Sequence, residues 1–385
     1  MKPLDARNLP SPLGLTHERF GRVCEELGVC SAHVAKPVYS AILREGITDG
    51  SGEARGVRVE LPPIVNTLRE DVAEGTTVKF ITRLPAGEKA ASKFDHLEAE
   101  SVLIPMIGRS RIRTYTLCVS SQIGCAMGCG FCETAQMGLI RSLTADEIVA
   151  QWFHATHTLG CRPSNIVFMG MGEPLDNLDN VLDAVAVLKD QRGPGVPISK
   201  ITISTVGRVD GLEKLGQKLH EPGWHRLNLA LSLNAPNDTV RDALMPINRK
   251  YNLAELQRAL KAFPLYGGGK ICVEYVLIPG VNDAPEHVDE VAEFLAPINE
   301  PHPKWSPRAM INLIPYNPRR NSPWPAPSED QIEAFLGGLI RRGVFAKRRR
   351  TKGRAMMGAC GQLGNEHIRG RKPVSLTISA DSSSV

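Results

Sequence analysis

No apolar run in this chain approaches the roughly 20 residues that a bilayer-spanning helix requires, so no membrane-spanning helix is expected. The N-terminus, Met1-Lys-Pro-Leu-Asp-Ala-Arg, lacks the hydrophobic segment of a secretory signal, and a cytoplasmic location is expected. A regular cysteine framework is missing too: nine is an odd number and several are bunched, which argues against secreted disulfides and for metal or redox chemistry in a reducing compartment. There is no internal repeat. Acidic residues are absent from Arg341 to Arg354, "RRGVFAKRRRTKGR", where eight of fourteen residues are Lys or Arg. Taken alone, that run is equally a solvated basic strand or a contact for a phosphate backbone, where each neutralised phosphate releases counterions.

What is present is an ordinary globular composition, 42% apolar and 23% charged over 385 residues, enough to bury a large core. Residues 1–95 read as a small accessory domain: a helix from Thr16 to Leu27, another from Ala35 to Glu45, then "TTVKFITRLPAG" and "HLEAESVLIP" as a hairpin leading into the next domain. Residues 96–365 form the core. Its expected strands are Thr116 to Ser120, Asn165 to Gly170, Lys200 to Ser204, Leu227 to Leu233, Ile271 to Leu277, Met310 to Pro315 and Gly343 to Arg348. Helical patterns such as Thr144 to His157, Leu178 to Lys189, Pro285 to Leu295 and Ser328 to Arg341 lie between them. Buried strands alternating with amphipathic helices call for an α/β fold with a parallel sheet, curved into a complete or partial barrel of six or so βα units with its functional groups at the C-terminal strand ends. Residues 366–385, basic and then Ser-rich, read as a disordered tail.

One stretch carries chemistry directly. Cys125, Cys129 and Cys132 in "CAMGCGFC" put three thiols on one loop after the first core strand. A structural zinc site wants four protein ligands. The later cysteines, Cys161, Cys272 and Cys360, are isolated and supply no matching pair. A four-iron cluster can be held by three thiolates, with one iron left for an exogenous ligand. The spacing alone leaves cluster, zinc and chance open. After the next strand comes Gly170-Met-Gly172-Glu173-Pro174, where glycines permit close backbone approach and a carboxylate can accept from a ligand ammonium; its bland reading is a strand-to-helix turn. Ser204, Ser232-Leu233-Asn234 and Asn317 close later strands, as caps or as groups that hold a ligand.

CxxxCxxC with an aromatic, Phe131, before the third cysteine resembles the radical S-adenosylmethionine (SAM) superfamily. The resemblance implies a [4Fe–4S] cluster whose open iron chelates SAM and generates a 5′-deoxyadenosyl radical. It narrows at several places in order: "LCVSSQIGCAMGCGFCETAQMG", "GMGEPLDN", "ITISTVGRVDGL", "LSLNAPND", "LMPINRKYNL", "VEYVLIPGVND", "INLIPYNP" and "ACGQL" are similar to the RlmN/Cfr family of RNA adenosine methyltransferases. That family methylates C2 or C8 of adenosine in ribosomal or transfer RNA, with two SAM molecules per turnover and an external electron donor such as flavodoxin or ferredoxin. A direct transfer is unworkable because an amidine carbon is not nucleophilic. The resemblance implies that Cys360 carries the methyl group and becomes joined to the RNA, and that Cys118 attacks the bridging sulfur to release product as a transient disulfide forms. Glu100, with Glu98 as the near alternative, falls where the family's proton acceptor lies. It further implies cluster binding by Cys125, Cys129 and Cys132, and cofactor binding by Gly172, Glu173, Ser204, Ser232, Leu233, Asn234 and Asn317. The basic run then gains a purpose, since it leads into the Cys360 loop, and the accessory domain is the second expected RNA contact.

The chain departs from the family pattern twice. Asn234 stands where "SLHAP" would put histidine, and "RAMMGACGQL" replaces an acidic run like "DIDAACGQL". The RNA target and ring position therefore stay open. A radical SAM enzyme with a non-RNA substrate and a zinc-stabilised RNA-binding protein are the competing readings.

Overall fold

A computed structural model describes residues 10–48, 57, 59–87, 93–108, 111–300, 307–365 and 367–368. The expected tail, 366–385, lies outside the described residues apart from 367 and 368. In chain order the elements are α1 (His17–Glu26), α2 (Ala32–Ser40), β1 (Ile64–Val72), β2 (Gly75–Pro85), β3 (His96–Ile107), β4 (Arg113–Cys118), β5 (Gln122–Ile123), α3 (Glu133–Met137), β6 (Arg141–Ser142), α4 (Ala145–Phe153), β7 (Asn165–Phe168), α5 (Leu178–Leu188), β8 (Ile201–Thr205), α6 (Val209–Leu219), β9 (Asn228–Ser232), α7 (Asp238–Leu244), α8 (Leu253–Ala262), β10 (Ile271–Leu277), α9 (Pro285–Asn299), β11 (Ala309–Pro315), α10 (Glu329–Arg341) and β12 (Ala346–Arg348). From β4 to α10 the order is six strand-then-helix repeats, as the apolar periodicity predicts. The chain is an α/β protein with mostly parallel strands.

It divides into two compact units, one of Met1–Ile123, Arg141–Ile203 and Pro222–Asn228, the other of Gly124–Ile140, Ser204–Glu221 and Leu229–Val385. In the first unit β1, β2, β3 and β4 pair antiparallel in succession, and β4, β7 and β8 continue in parallel. The hairpin expected from the sequence is β2 and β3. β1 was not expected: "IVNTLREDV" has no clean alternation, its residues are half-buried or exposed, and its register shifts near Ile64, the marks of an edge strand. The helix predicted over 144–157 keeps its start at Thr144, where the N3 residue Glu147 accepts from the Thr144 amide at 3.1 Å. Beyond Phe153 it widens into a π turn, 154–158, with His154 held between Pro62 O at 2.7 Å and Thr158 Oγ1 at 3.0 Å.

In the second unit β9, β10, β11 and β12 are all parallel. β10, "ICVEYVL", is apolar at almost every position because both faces are covered, the pattern of an interior parallel strand. α10 starts at Ser328, whose hydroxyl accepts from the Gln331 amide at 3.2 Å while Gln331 Oε1 accepts from the Ser328 amide at 2.9 Å.

Candidate active site

The cysteine loop belongs to the second unit and is built to a tight backbone tolerance. Gly124 has φ +74°, and a Cβ there would lie 1.7 Å from the Gly138 carbonyl oxygen, so only glycine lets Cys125 donate its amide to that oxygen at 3.1 Å. Cys132 is the N-cap of α3, and its amide turns back to Cys129 O at 3.2 Å. Gln136 Nε2 lies 3.4 Å from Cys129 O and 3.5 Å from Cys132 O, Arg319 Nε donates to Gly130 O at 2.8 Å, and the Gly130 amide donates to Leu244 O at 2.9 Å. Around the thiols stand Met127, Phe131, Leu244, Met245, Ile278, Tyr316 and Trp324 in one apolar cluster. Burial pushes the Cys132 thiol up, so thiolate forms there only against a compensating cation. Among the described residues no three His, Cys, Asp or Glu groups are drawn together as a metal site; the three thiols share a loop and an apolar enclosure.

The Cys360 segment is fastened to the same loop. Directly after Cys132, the Glu133 amide donates to Gly361 O at 2.7 Å, and Thr134 Oγ1 donates to Leu363 O at 2.5 Å. Arg320 donates to Gly364 O at 3.1 Å and pairs with Glu133 at 3.4 Å, while Gln362 Nε2 donates to Pro318 O at 3.0 Å. These bonds fasten the residues after Cys360, and before it the Ala359 amide donates to Gln362 Oε1 at 3.3 Å. Burial pushes the Cys360 thiol up, an effect that Arg349 opposes and Glu274 reinforces. Alkylation of Cys360 is therefore expected to run slower than that of an exposed thiol at neutral pH, and to keep accelerating above the pH where the exposed thiol levels off. Peptide mapping after timed iodoacetamide treatment checks this, and equal pH profiles would contradict it.

Strand ends of this unit carry the remaining polar candidates. Asn317 is 3% exposed, and among the described residues its buried Oδ1 has no hydrogen-bond partner, an acceptor lacking its donor. Ser204 and Ser232 end β8 and β9. Leu233 and Asn234 are occupied: Leu233 O accepts from Arg241 Nε at 3.2 Å, Asn234 Oδ1 accepts from the Val276 amide at 2.9 Å, and Asn234 O accepts from Asn282 Nδ2 at 2.9 Å. Asn234 does this at φ +54°, a conformation asparagine tolerates better than most residues. The Asn234 side chain thus braces the β10 end.

Arg241 escaped the sequence reading. Fully buried, it donates to the carbonyls of Val206 at 2.6 Å and Leu233 at 3.2 Å and to Asn248 Oδ1 at 2.9 Å, so it ties the ends of β8 and β9 together. Burial pulls its guanidinium down to about 10, still cationic at neutral pH, and Cys129 is the charge that most counters this. Glu274 was missed as well. On β10 it lies in register with Ser232 and Asn312, and Arg349 approaches it at 3.4 Å. Burial raises its carboxyl, against Arg349 and Asn312. Glu274 shows only as a lone charge in the apolar run "ICVEYVL", and Arg241 sits among aspartates in the polar segment "NDTVRDAL", where nothing marks it for burial.

The first unit holds the other candidates. Glu100 on β3 is buried against Lys79 on β2 at 2.8 Å, with side chains only 5% and 4% exposed. Cys118 ends β4 opposite Val102, and Val102 lies opposite Lys79, so Cys118, Val102, Lys79 and Glu100 share one face of the sheet. Glu98 is the less buried alternative, near His96 at 3.7 Å. After β7, Gly172 has φ +102° and packs on Gln122. Glu173 is 1% exposed, receives the Leu175 amide on Oε1 at 3.1 Å, and donates its own amide to Gln122 Oε1 at 2.9 Å.

Residues 119–295 match the radical SAM superfamily model. The chain is 40% identical over 377 residues to the probable dual-specificity RNA methyltransferase RlmN 1 of Protochlamydia amoebophila, covering 96% of this chain and 98% of that protein. It belongs to the RlmN family of dual-specificity RNA methyltransferases. The RlmN of Phenylobacterium zucineum is 37% identical over 382 residues, covering 94% of this chain and 92% of its relative. The crystal structure of a radical SAM methyltransferase from Sphaerobacter thermophilus superposes with a TM-score of 0.77 at 32% identity, over 91% of this chain and 98% of that one. Membership of the radical SAM superfamily brings a [4Fe–4S] cluster and SAM with it. The residues fit those groups in chemistry: three thiols in an apolar enclosure, and an unsatisfied Asn317 acceptor at a strand end. Among the described residues of this RlmN-family chain, no helix is long and apolar enough to cross a membrane.

Proposed function

We propose that this chain methylates a ring carbon, C2 or C8, of an adenosine in ribosomal RNA, transfer RNA or both, through a methylated Cys360 and a transient protein–RNA crosslink. The observation that carries the reading is the fastening of the Cys360 segment to α3: the carbonyl one residue beyond Cys360 accepts from the amide one residue beyond Cys132 at 2.7 Å. Held by Cys125, Cys129 and Cys132, the cluster with its SAM, used twice per turnover, supplies the methyl group and radical chemistry. Asn317, Ser204, Ser232, Leu233 and Asn234 would hold the cofactor's nucleoside, and Gly172 and Glu173 would hold its amino group. Cys360 gives up its thiol proton and holds the methyl as a thioether. Glu100, oriented by Lys79, accepts the proton lost from the ring carbon. The Cys118 thiolate attacks the Cys360 sulfur, an S–S bond forms, and the bond from that sulfur to the methylated base breaks. Residues 1–95 serve as an accessory RNA-contacting domain beside the 96–365 core. A flavodoxin or ferredoxin supplies electrons in the cytoplasm.

Comparing modified nucleosides in ribosomal and transfer RNA from cells with and without the gene tests this. A methyladenosine present only with the gene is expected, together with a methyl group on Cys360 in purified protein. Identical nucleoside profiles and an unmodified Cys360 would refute it.

A further inference from the structure

The second unit has a cavity of about 580 Å³ whose wall includes Tyr316, Pro327, Arg348, Arg350, Thr351 and Arg354. Its volume falls within the roughly 300–1,000 Å³ of small-molecule sites and is generous for a lone phosphate ion. Its charge is one-sided. The only acid in its lining, Glu329, is engaged by Arg348 through both oxygens, at 2.5 and 2.8 Å, and Arg348 also approaches Glu333 at 3.6 Å. Arg350 and Arg354, both exposed, add two further guanidinium groups to the lining, and Thr351 adds a hydroxyl. Arginine forks match the paired oxygens of a phosphodiester.

Position completes the argument. Tyr316 follows the C-terminal end of β11, the end of a βα barrel strand where functional groups collect, and packs in the same apolar cluster as Cys125 and Cys129. The other wall leads into Cys360 through a short turn, in which the Gly358 amide donates to Gly353 O at 2.7 Å. We infer that this pocket is a subsite for the ribose-phosphate backbone of the nucleotide adjoining the modified adenosine, gripped by Arg350, Thr351 and Arg354. The inference rests on the reading of RNA as substrate. It adds that the neighbouring nucleotide is held by its backbone and not by its base, so binding here is indifferent to sequence.

The test measures binding of a fluorescent RNA hairpin with an unpaired loop adenosine to the full chain across a salt series. An Arg350→Ala/Arg354→Ala variant is compared with Arg258→Ala/Lys261→Ala, which removes the same charge from the exposed face of α8. Arg348 is left intact because it holds Glu329. The pocket variant is expected to bind about tenfold more weakly near 0.1 M salt, and to lose about 1–2 from the slope of log affinity against log salt, while the α8 variant stays within about twofold of wild type. A charge-reversed Arg350→Glu/Arg354→Glu variant should lose more at an unchanged melting temperature, which separates lost binding from lost folding. Free adenosine monophosphate should compete for the wild type more strongly than inorganic phosphate; equal competition points to a simple anion site and overturns the subsite. A pocket variant that matches the α8 variant in affinity and slope, with wild-type protein still methylating RNA, overturns the subsite alone. Wild-type protein that neither binds nor methylates RNA overturns the functional reading with it.

Discussion

Cys118→Ala protein isolated from cells should carry RNA covalently attached through Cys360. The substitution removes one sulfur atom from the buried end of β4 and leaves the ladder to β3 and β7 intact, so the fold should lose only about 1 kcal/mol. On the proposed reading, what it removes chemically is the thiolate that opens the sulfur–base bond. Free product should then form on the order of 100-fold more slowly, or less, because no water or carboxylate replaces a thiolate in attack on sulfur. Nuclease digestion followed by peptide mass spectrometry should find a nucleotide on Cys360, and a Cys118→Ala/Cys360→Ala double variant should be free of it. RNA-free Cys118→Ala protein with wild-type turnover would remove Cys118 from the mechanism.

Lys79→Met is expected to cost about 3–5 kcal/mol of stability, since it strands a carboxylate that is 5% exposed in a sheet interior. Methionine keeps the length and most of the volume, so the loss reports the missing charge and not a cavity. Glu100→Gln alone should cost less, because the glutamine amide oxygen still accepts from the buried Lys79 ammonium whereas methionine offers Glu100 no donor, and Lys79→Met/Glu100→Gln should recover most of the Lys79→Met loss. Urea midpoints of the four proteins give the coupling. If Lys79→Met unfolds at the wild-type midpoint, the pair does not hold this face together, and its claim to orient Glu100 goes with it.

The contrast between these residues shows where the sequence was legible. Cys125, Cys129 and Cys132 are neighbours in the chain, so their spacing alone marks a shared thiol loop, and the family resemblance then selects a cluster over zinc. The helices that begin at Thr144 and Ser328 announce themselves through local capping chemistry. Lys79 and Glu100 meet only because β2 and β3 pair with Lys79 opposite Val102 and Glu100 opposite Ile81, a register no local pattern states. Arg241 and Glu274 were hidden for a related reason. Each sits where apolar burial dominates, and its partners are carbonyls and side chains from other strands and turns. β1 stayed illegible because an edge strand with many charges reads as a loop. Asn234 could be read as a departure from the family, but its use as a brace for the Val276 amide needed coordinates.

The bond from Thr134 to Leu363 spans 229 residues of sequence. A ribosome extends the chain from its N-terminus, so Thr134 and the cysteine loop before it emerge 229 residues ahead of the Leu363 carbonyl that fastens them. A molecule that stops before Cys360 therefore has the three loop thiols but neither this fastening nor the sulfur that carries the methyl on the proposed reading. On that reading such a chain cannot form the RNA crosslink at all, although Cys118, which would resolve it, has already been made.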